Sequence, residues 1–283
     1  MDFLYKTLAF GGLFLIKRIK EDEKIKYKTK KTEILGIALR PLDMAAAEER
    51  AHELITSGKG GIVCTPNATM LYNAKNSNEL KKILENADIC LCDGVGVSLG
   101  ARILGKGKLS RVCGVDYGEK IAELCAKKGY TLYLFGGKRG IAEKAARALI
   151  EKYPALKIAG THHGYFEDEW RVVSEISLAS PQVIFVCLGS PMQESFIYRN
   201  FRHFDGALML GLGGSLDVYA GEVKRAPKIF RVLGFEWAYR LLKEPKRIKK
   251  THLFSFAREV LYERFSVKIH KNGAQRERKK VKS

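Results

Sequence analysis

Five segments of this sequence place polar or glycine residues directly after an apolar run and before a helix-forming one. They are Thr65-Pro66-Asn67, Asp93-Gly94, Gly136-Gly137-Lys138, the run Gly189 to Glu194, and Gly211-Leu212-Gly213-Gly214. If the apolar runs are parallel strands, the five turns share one carboxyl edge, where open α/β sheets bind their ligands. Asp93 carries the most reactive possibility. A carboxylate at a strand end serves as a general base, and the competing reading is an N-cap for the helix that follows. The glycines beyond it, Gly94, Gly96 and Gly100, follow the third strand candidate with G-x-G-x-x-x-G spacing, which is not a dinucleotide fingerprint. They read as clearance around Asp93 and a tight entry into the next helix.

Gly136 and Gly137 lead into Lys138 and Arg139 at a helix start, and Gly213 and Gly214 form a second such turn. Backbone N–H groups in that setting favour phosphate, although neither turn is a P-loop. Gln193 offers an amide that both donates and accepts, with Glu194 beside it. Arg111 reads either as a phosphate contact or as a surface charge. His162-His163 lack a third ligand at useful spacing, and no D-x-D is present, so no metal site and no cofactor are expected.

Positioning these turns requires a repeating βα unit, and the chain from Thr32 onward supplies one. The strand candidates are 34–39, 61–66, 87–93, 130–137, 156–164, 181–189 and 207–214, separated by segments with apolar residues three and four apart. Continuous Val/Ile/Leu/Cys strands call for a sheet covered on both faces. The expected fold is α/β, a Rossmann-like, mostly parallel sheet with helices on both faces. The six cysteines, among them Cys90 and Cys92 on one strand face, read as buried thiols of a reducing compartment.

The ends differ from this core. The formal charge of +19 divides as +5 over residues 1–32, zero over 33–223 and +14 over 224–283. A neutral core with basic ends argues against nucleic-acid binding and for docking onto anionic membrane lipid. Residues 3–16 are apolar but shorter than the ~20 residues of a spanning helix. They read either as an interfacial helix or as one packed on the protein. Residues 33–223 form the expected core. Residues 224–265 interleave cations with aromatic rings as a helical, membrane-associating appendage, and 266–283 read as a disordered basic tail.

The segments TPNATML (65–71), DGVGV (93–97), LFGG (134–137), LGSPMQE (188–194), GGSLDVYAGEVKRAP (213–227) and GFEWAYRLLKEPKR (234–247) together closely resemble the bacterial WecG/TagA/CpsF glycosyltransferase family over about residues 33–250. The resemblance implies a metal-independent, inverting transferase at the cytoplasmic membrane face. It would move N-acetylmannosamine from its UDP donor to the 4-hydroxyl of N-acetylglucosaminyl-diphospho-undecaprenol. N-acetylmannosamine uronate or glucose, in capsule or exopolysaccharide assembly, is the alternative donor sugar, and a basic-tailed nucleic-acid-binding protein is the alternative class. Asp93 and Thr65 then stand at the reacting centre, with Asn67 holding the sugar. Arg111, Gly136, Gly137, Gln193, Glu194, Gly213 and Gly214 contact substrate, and Arg240 and Arg247 compensate charge on the leaving diphosphate. A homo-oligomer is compatible with this reading.

Overall fold

The computed structural model describes residues 31–227, 230, 236, 239 and 252–280. The expected apolar membrane contact at 3–16 and the arginines at 240 and 247 lie outside the described residues.

Six parallel strands form the central sheet: β3 (Gly61–Cys64), β4 (Ile89–Cys90), β5 (Thr131–Gly136), β6 (Lys157–His162), β7 (Val183–Cys187) and β8 (Leu208–Gly211). Their spatial order is β4-β3-β8-β7-β5-β6. The expected Rossmann-like α/β class is therefore what the chain adopts. Side chains alternate between two apolar clusters. Ile62, Tyr133, Phe135, Ile184, Val186 and Met209 enter one cluster, while Val63, Leu132, Leu134, Val183, Phe185 and Leu210 enter the other. Each fully buried Phe or Leu of this kind is worth about 1.5–3 kcal/mol, and together they fix the register of every central strand. β6, at the edge, is only half-buried, which is why its sequence tolerates Lys157, while Gly160 leaves room for the Tyr133 ring, which a Cβ there would meet at 2.5 Å.

One face is covered by α1 (Met44–Thr56), α5 (Gly114–Lys128), α6 (Ile141–Lys152) and the short α9 (Ser215–Tyr219). The other carries α2 (Ala68–Lys75), α3 (Asn78–Glu85), α4 (Val95–Ile103), α7 (Glu169–Ala179) and α8 (Met192–Asn200). The caps follow from the sequence. Asp43, Asn67, Ser77 and Asp168 each accept a backbone N–H in the first turn of the helix they precede. Gly129 ends α5 in the left-handed conformation.

Two expectations are corrected. The apolar run 34–39 is not a strand of the central sheet but part of an antiparallel hairpin, β1 (Thr32–Ile34) with β2 (Ile37–Leu39). Leu35 and Gly36 both take positive φ, 52° and 73°, the backbone of a tight two-residue turn. The basic segment from 266, expected as a disordered tail, is helical as far as it is described, with α10 running over Leu253–Lys280. Its Lys, Arg, Glu and Gln residues are good helix formers. α10 packs on α2 and α4 through buried Phe256 and Val260. Lys75 pairs with Glu259, the backbone N–H of Leu35 donates to Glu263 (3.1 Å), and His252 stacks on Tyr72.

Candidate active site

The strand order sets the order of groups along the carboxyl edge. Asp93 follows β4, Thr65 follows β3, the Gly211–Gly214 turn follows β8, Gln193 follows β7, Gly136 and Gly137 close β5, and His162 ends β6. Four strand steps separate Asp93 from the β5 turn, about 19 Å at ~4.8 Å per step.

At the β4 end the backbone continues extended past the ladder. Leu91 N–H donates to Cys64 O and Asp93 N–H to Pro66 O, both at 2.9 Å. These bonds press Asp93 against the residues that follow β3. Gly94, with φ 79°, is the N-cap of α4. The Asp93 Oδ2 accepts a long bond from Gly114 N–H, 3.4 Å away at the start of α5. The first turn of this 15-residue helix carries positive partial charge toward the carboxylate. Thr65 completes the corner. It is buried, its hydroxyl donates to Gly211 O (2.9 Å), and a methyl placed on Gly114 would meet its Cγ2 at 3.4 Å.

The other glycines of the Asp93 segment have a different task from the one expected. A Cβ on Gly96 would lie 3.0 Å from the Ala68 Cβ, and one on Gly100 would lie 3.0 Å from the Phe256 ring. They let α4 approach α2 and α10 closely; only Gly94 serves the tight entry.

Gln193 and Glu194 lie beneath the rim rather than on it, 2 % and 0 % exposed. The Gln193 amide donates to Glu194 Oε1 (2.6 Å) and accepts from Gly213 N–H (2.8 Å), so it braces the turn after β8. Gly211 lets the Gln193 amide approach closely, since a Cβ there would sit 3.0 Å from Gln193 Nε2. Burial pushes the Glu194 carboxyl above the ordinary carboxylate range, with hydrogen bonds from Gln193 and Ser190 opposing it. Its Oε2 has no partner among the described residues.

Asn67 is exposed, with Oδ1 committed to Met70 N–H (3.0 Å), and Arg111 is exposed three residues before α5. Gly136 lies against the Cys187 carbonyl, where a Cβ would come within 2.2 Å, and Gly137 follows with φ 70°. Beyond them a cleft of about 460 Å³ opens between β6 and α7, lined by Arg139, His162, Tyr165 and Asp168 among others. Tyr165 is 67 % exposed. The sequence reading passed over it, and its only signal was an aromatic residue in a glycine-containing turn.

Two further residues escaped the sequence reading. Arg225 grips Asp116, in the first turn of α5, through both terminal nitrogens (2.5 and 3.1 Å), and Tyr219 OH donates to Val115 O (2.6 Å). Cys113, at the α5 N-cap, lies 3.9 Å from Arg225 Nη2. Burial and the nearby Asp93, Glu236 and Asp116 carboxylates push its thiol up to about 12, so it stays a neutral packing group.

The model of the family described as "Glycosyl transferase WecG/TagA/CpsF family" matches residues 32–269. A Bacillus spizizenii protein named N-acetylglucosaminyldiphosphoundecaprenol N-acetyl-beta-D-mannosaminyltransferase is 33 % identical over 222 residues, covering 77 % of this chain and 86 % of the relative. A Bacillus subtilis protein of the same name is 36 % identical over 192 residues, 68 % and 75 % of the two chains.

Proposed function

This chain belongs to the WecG/TagA/CpsF glycosyl transferase family, and on that premise we propose that it transfers N-acetylmannosamine from a UDP donor to the 4-hydroxyl of N-acetylglucosaminyl-diphospho-undecaprenol. Asp93 is the general base. As the acceptor O4 attacks the anomeric carbon, its proton passes to the Asp93 carboxylate, the new C–O bond forms, and the bond to the diphosphate breaks with its electron pair leaving on UDP. Attack opposite the leaving group inverts the anomeric centre.

The observation that carries this reading is the corner of Asp93, Thr65 and Gly114, where a half-buried carboxylate faces the start of a long helix. The donor lies along the rim. Its sugar sits by Asp93 and Asn67, its diphosphate crosses the turns bearing Gly213, Gly214, Gly136 and Gly137, and its base reaches the Tyr165 cleft, where an exposed ring offers a stacking face. A rim of about 19 Å suits so elongated a ligand. Gln193 and Glu194 act beneath this path by shaping the β8 turn. Arg111 and the cations at 240 and 247 supply the compensating charge that a bound metal provides in other transferases.

An undecaprenyl-linked acceptor calls for a site that works at a membrane surface. Among the described residues no helix is long and apolar enough to span one. α10 instead exposes Phe254, Leu261, Tyr262 and Phe265 beside Arg258, a composition suited to the headgroup layer.

The test is a transfer assay with a soluble lipid-linked N-acetylglucosamine analogue, a panel of UDP-sugars, and EDTA. UDP-N-acetylmannosamine is the expected donor, turnover survives EDTA, and Asp93→Asn lowers kcat by about 10²–10⁴-fold. Full turnover by Asp93→Asn would remove the base; loss of activity in EDTA would remove the metal-free mechanism.

A further inference from the structure

We infer that Arg225 and Tyr219 are positioning residues that hold the catalytic base in register, clamping the first turn of α5 against the Asp93 corner. This rests on Asp93 acting as the base. The distinctive segment after β8 does not end in the rim. It turns across the sheet edge as α9 and reaches α5 at two adjacent points, the Val115 carbonyl and the Asp116 carboxylate. Those residues immediately follow Gly114, which donates its N–H to Asp93 Oδ2 and where an added Cβ would lie 3.4 Å from Thr65 Cγ2. A shift in the α5 start therefore moves the group that orients the base.

The contact is built to resist such a shift. The Arg225 side chain is 18 % exposed, and its guanidinium is committed by its terminal fork, which fixes direction as well as distance. Burial raises the Tyr219 phenol well above its ordinary range, so it remains a hydrogen-bond donor. Gly118, one turn further along α5, leaves the space that the Tyr219 hydroxyl occupies, since a Cβ there would come within 2.5 Å of it. The clamp also neutralises Asp116, which would otherwise place a second carboxylate near Asp93 at the same helix start. Arg225 stands just before the C-terminal appendage, and the charge of Glu236 acts on both Arg225 and Cys113.

The experiment compares Arg225→Lys, Arg225→Ala, Asp116→Ala, the Arg225→Ala/Asp116→Ala double variant, and the charge swap Arg225→Asp/Asp116→Arg, each also checked for its melting temperature. Lysine keeps the charge but loses the fork. We expect kcat to fall on the order of ten- to hundredfold in each single variant with the donor KM nearly unchanged, because small misplacements of a base are costly. The double variant should be no slower than the worse single one, the swap should recover part of the loss, and Arg225→Ala should add nothing in an Asp93→Asn background. Wild-type kcat in Arg225→Ala, losses that multiply in the double variant, or a further loss on top of Asp93→Asn would each overturn the clamp. Full turnover by Asp93→Asn alone would overturn the base reading and the clamp with it, whereas an inactive Asp93→Asn beside a fully active Arg225→Ala overturns the clamp alone.

Discussion

Gly118→Ala measures the fit between α5 and α9 directly. In an exposed helix interior this change gains about 1 kcal/mol, because alanine is the better helix former. Here the added methyl would lie 2.5 Å from Tyr219 OH and 2.8 Å from Leu212 Cδ1, both well inside van der Waals contact. Overpacking of this kind costs about 1–3 kcal/mol, and displacing the Tyr219 hydroxyl from Val115 O forfeits about 0.5–1.5 kcal/mol more. The unfavourable effects outweigh the helix gain, leaving a net loss of about 0.5–3.5 kcal/mol. At roughly 2–4 °C per kcal/mol for a chain of this size, the melting temperature should drop by several degrees in a scanning calorimeter. Tyr219→Phe in the same background relieves the closest contact, so the double variant should lose less than the two single losses added together. A Gly118→Ala protein that melts higher than wild type would show that α9 does not seat against α5 as described.

Two other outcomes are expected. Glu194 holds its proton in the folded state at pH values where the unfolded chain has released it, so the native state binds more protons there and stability declines as pH rises through that window. Glu194→Gln removes this decline: its melting temperature relative to wild type should rise as pH increases above the ordinary glutamate value of ~4.3, and a pH-independent difference would refute a raised carboxyl. Phe256→Ala should cost about 3–5 kcal/mol at the seat of α10 on Gly100, seen as faster proteolytic release of the C-terminal helix; an unchanged cleavage rate would mean that α10 is held elsewhere.

Much of the fold could be read because the central strands are continuous apolar runs and their helices carry unambiguous caps, as at Ser77 and Gly129. The β1–β2 hairpin could not, since Leu35 in a left-handed conformation runs against its own preference and is held by tertiary contacts. The placement of Asp93 and Thr65 on the carboxyl edge was legible because each directly follows an apolar run. Gln193 was legible as important but not as buried, because an amide in a turn looks the same whether it faces a ligand or braces a backbone. Arg225 was hidden for a plainer reason. Its partner Asp116 lies 109 residues away, and no local pattern records a pairing over that distance.

The neighbours β3 and β8 carry a consequence for how the protein reaches this state. Thr65 and Gly211, which share a hydrogen bond, are 146 residues apart in the chain, and β8 is the strand that joins the β4-β3 pair to the β7-β5-β6 group. Until β8 is in place, β3 and β7 present bare edges with buried-type Ile, Val and Phe side chains on both faces. Loop closure over that separation must precede the contacts that reward it, so folding should be slow for a chain of this size. A chain interrupted before residue 208 would lack its active site and would also offer two open templates for intermolecular strand pairing, making truncation products prone to aggregate rather than merely inactive.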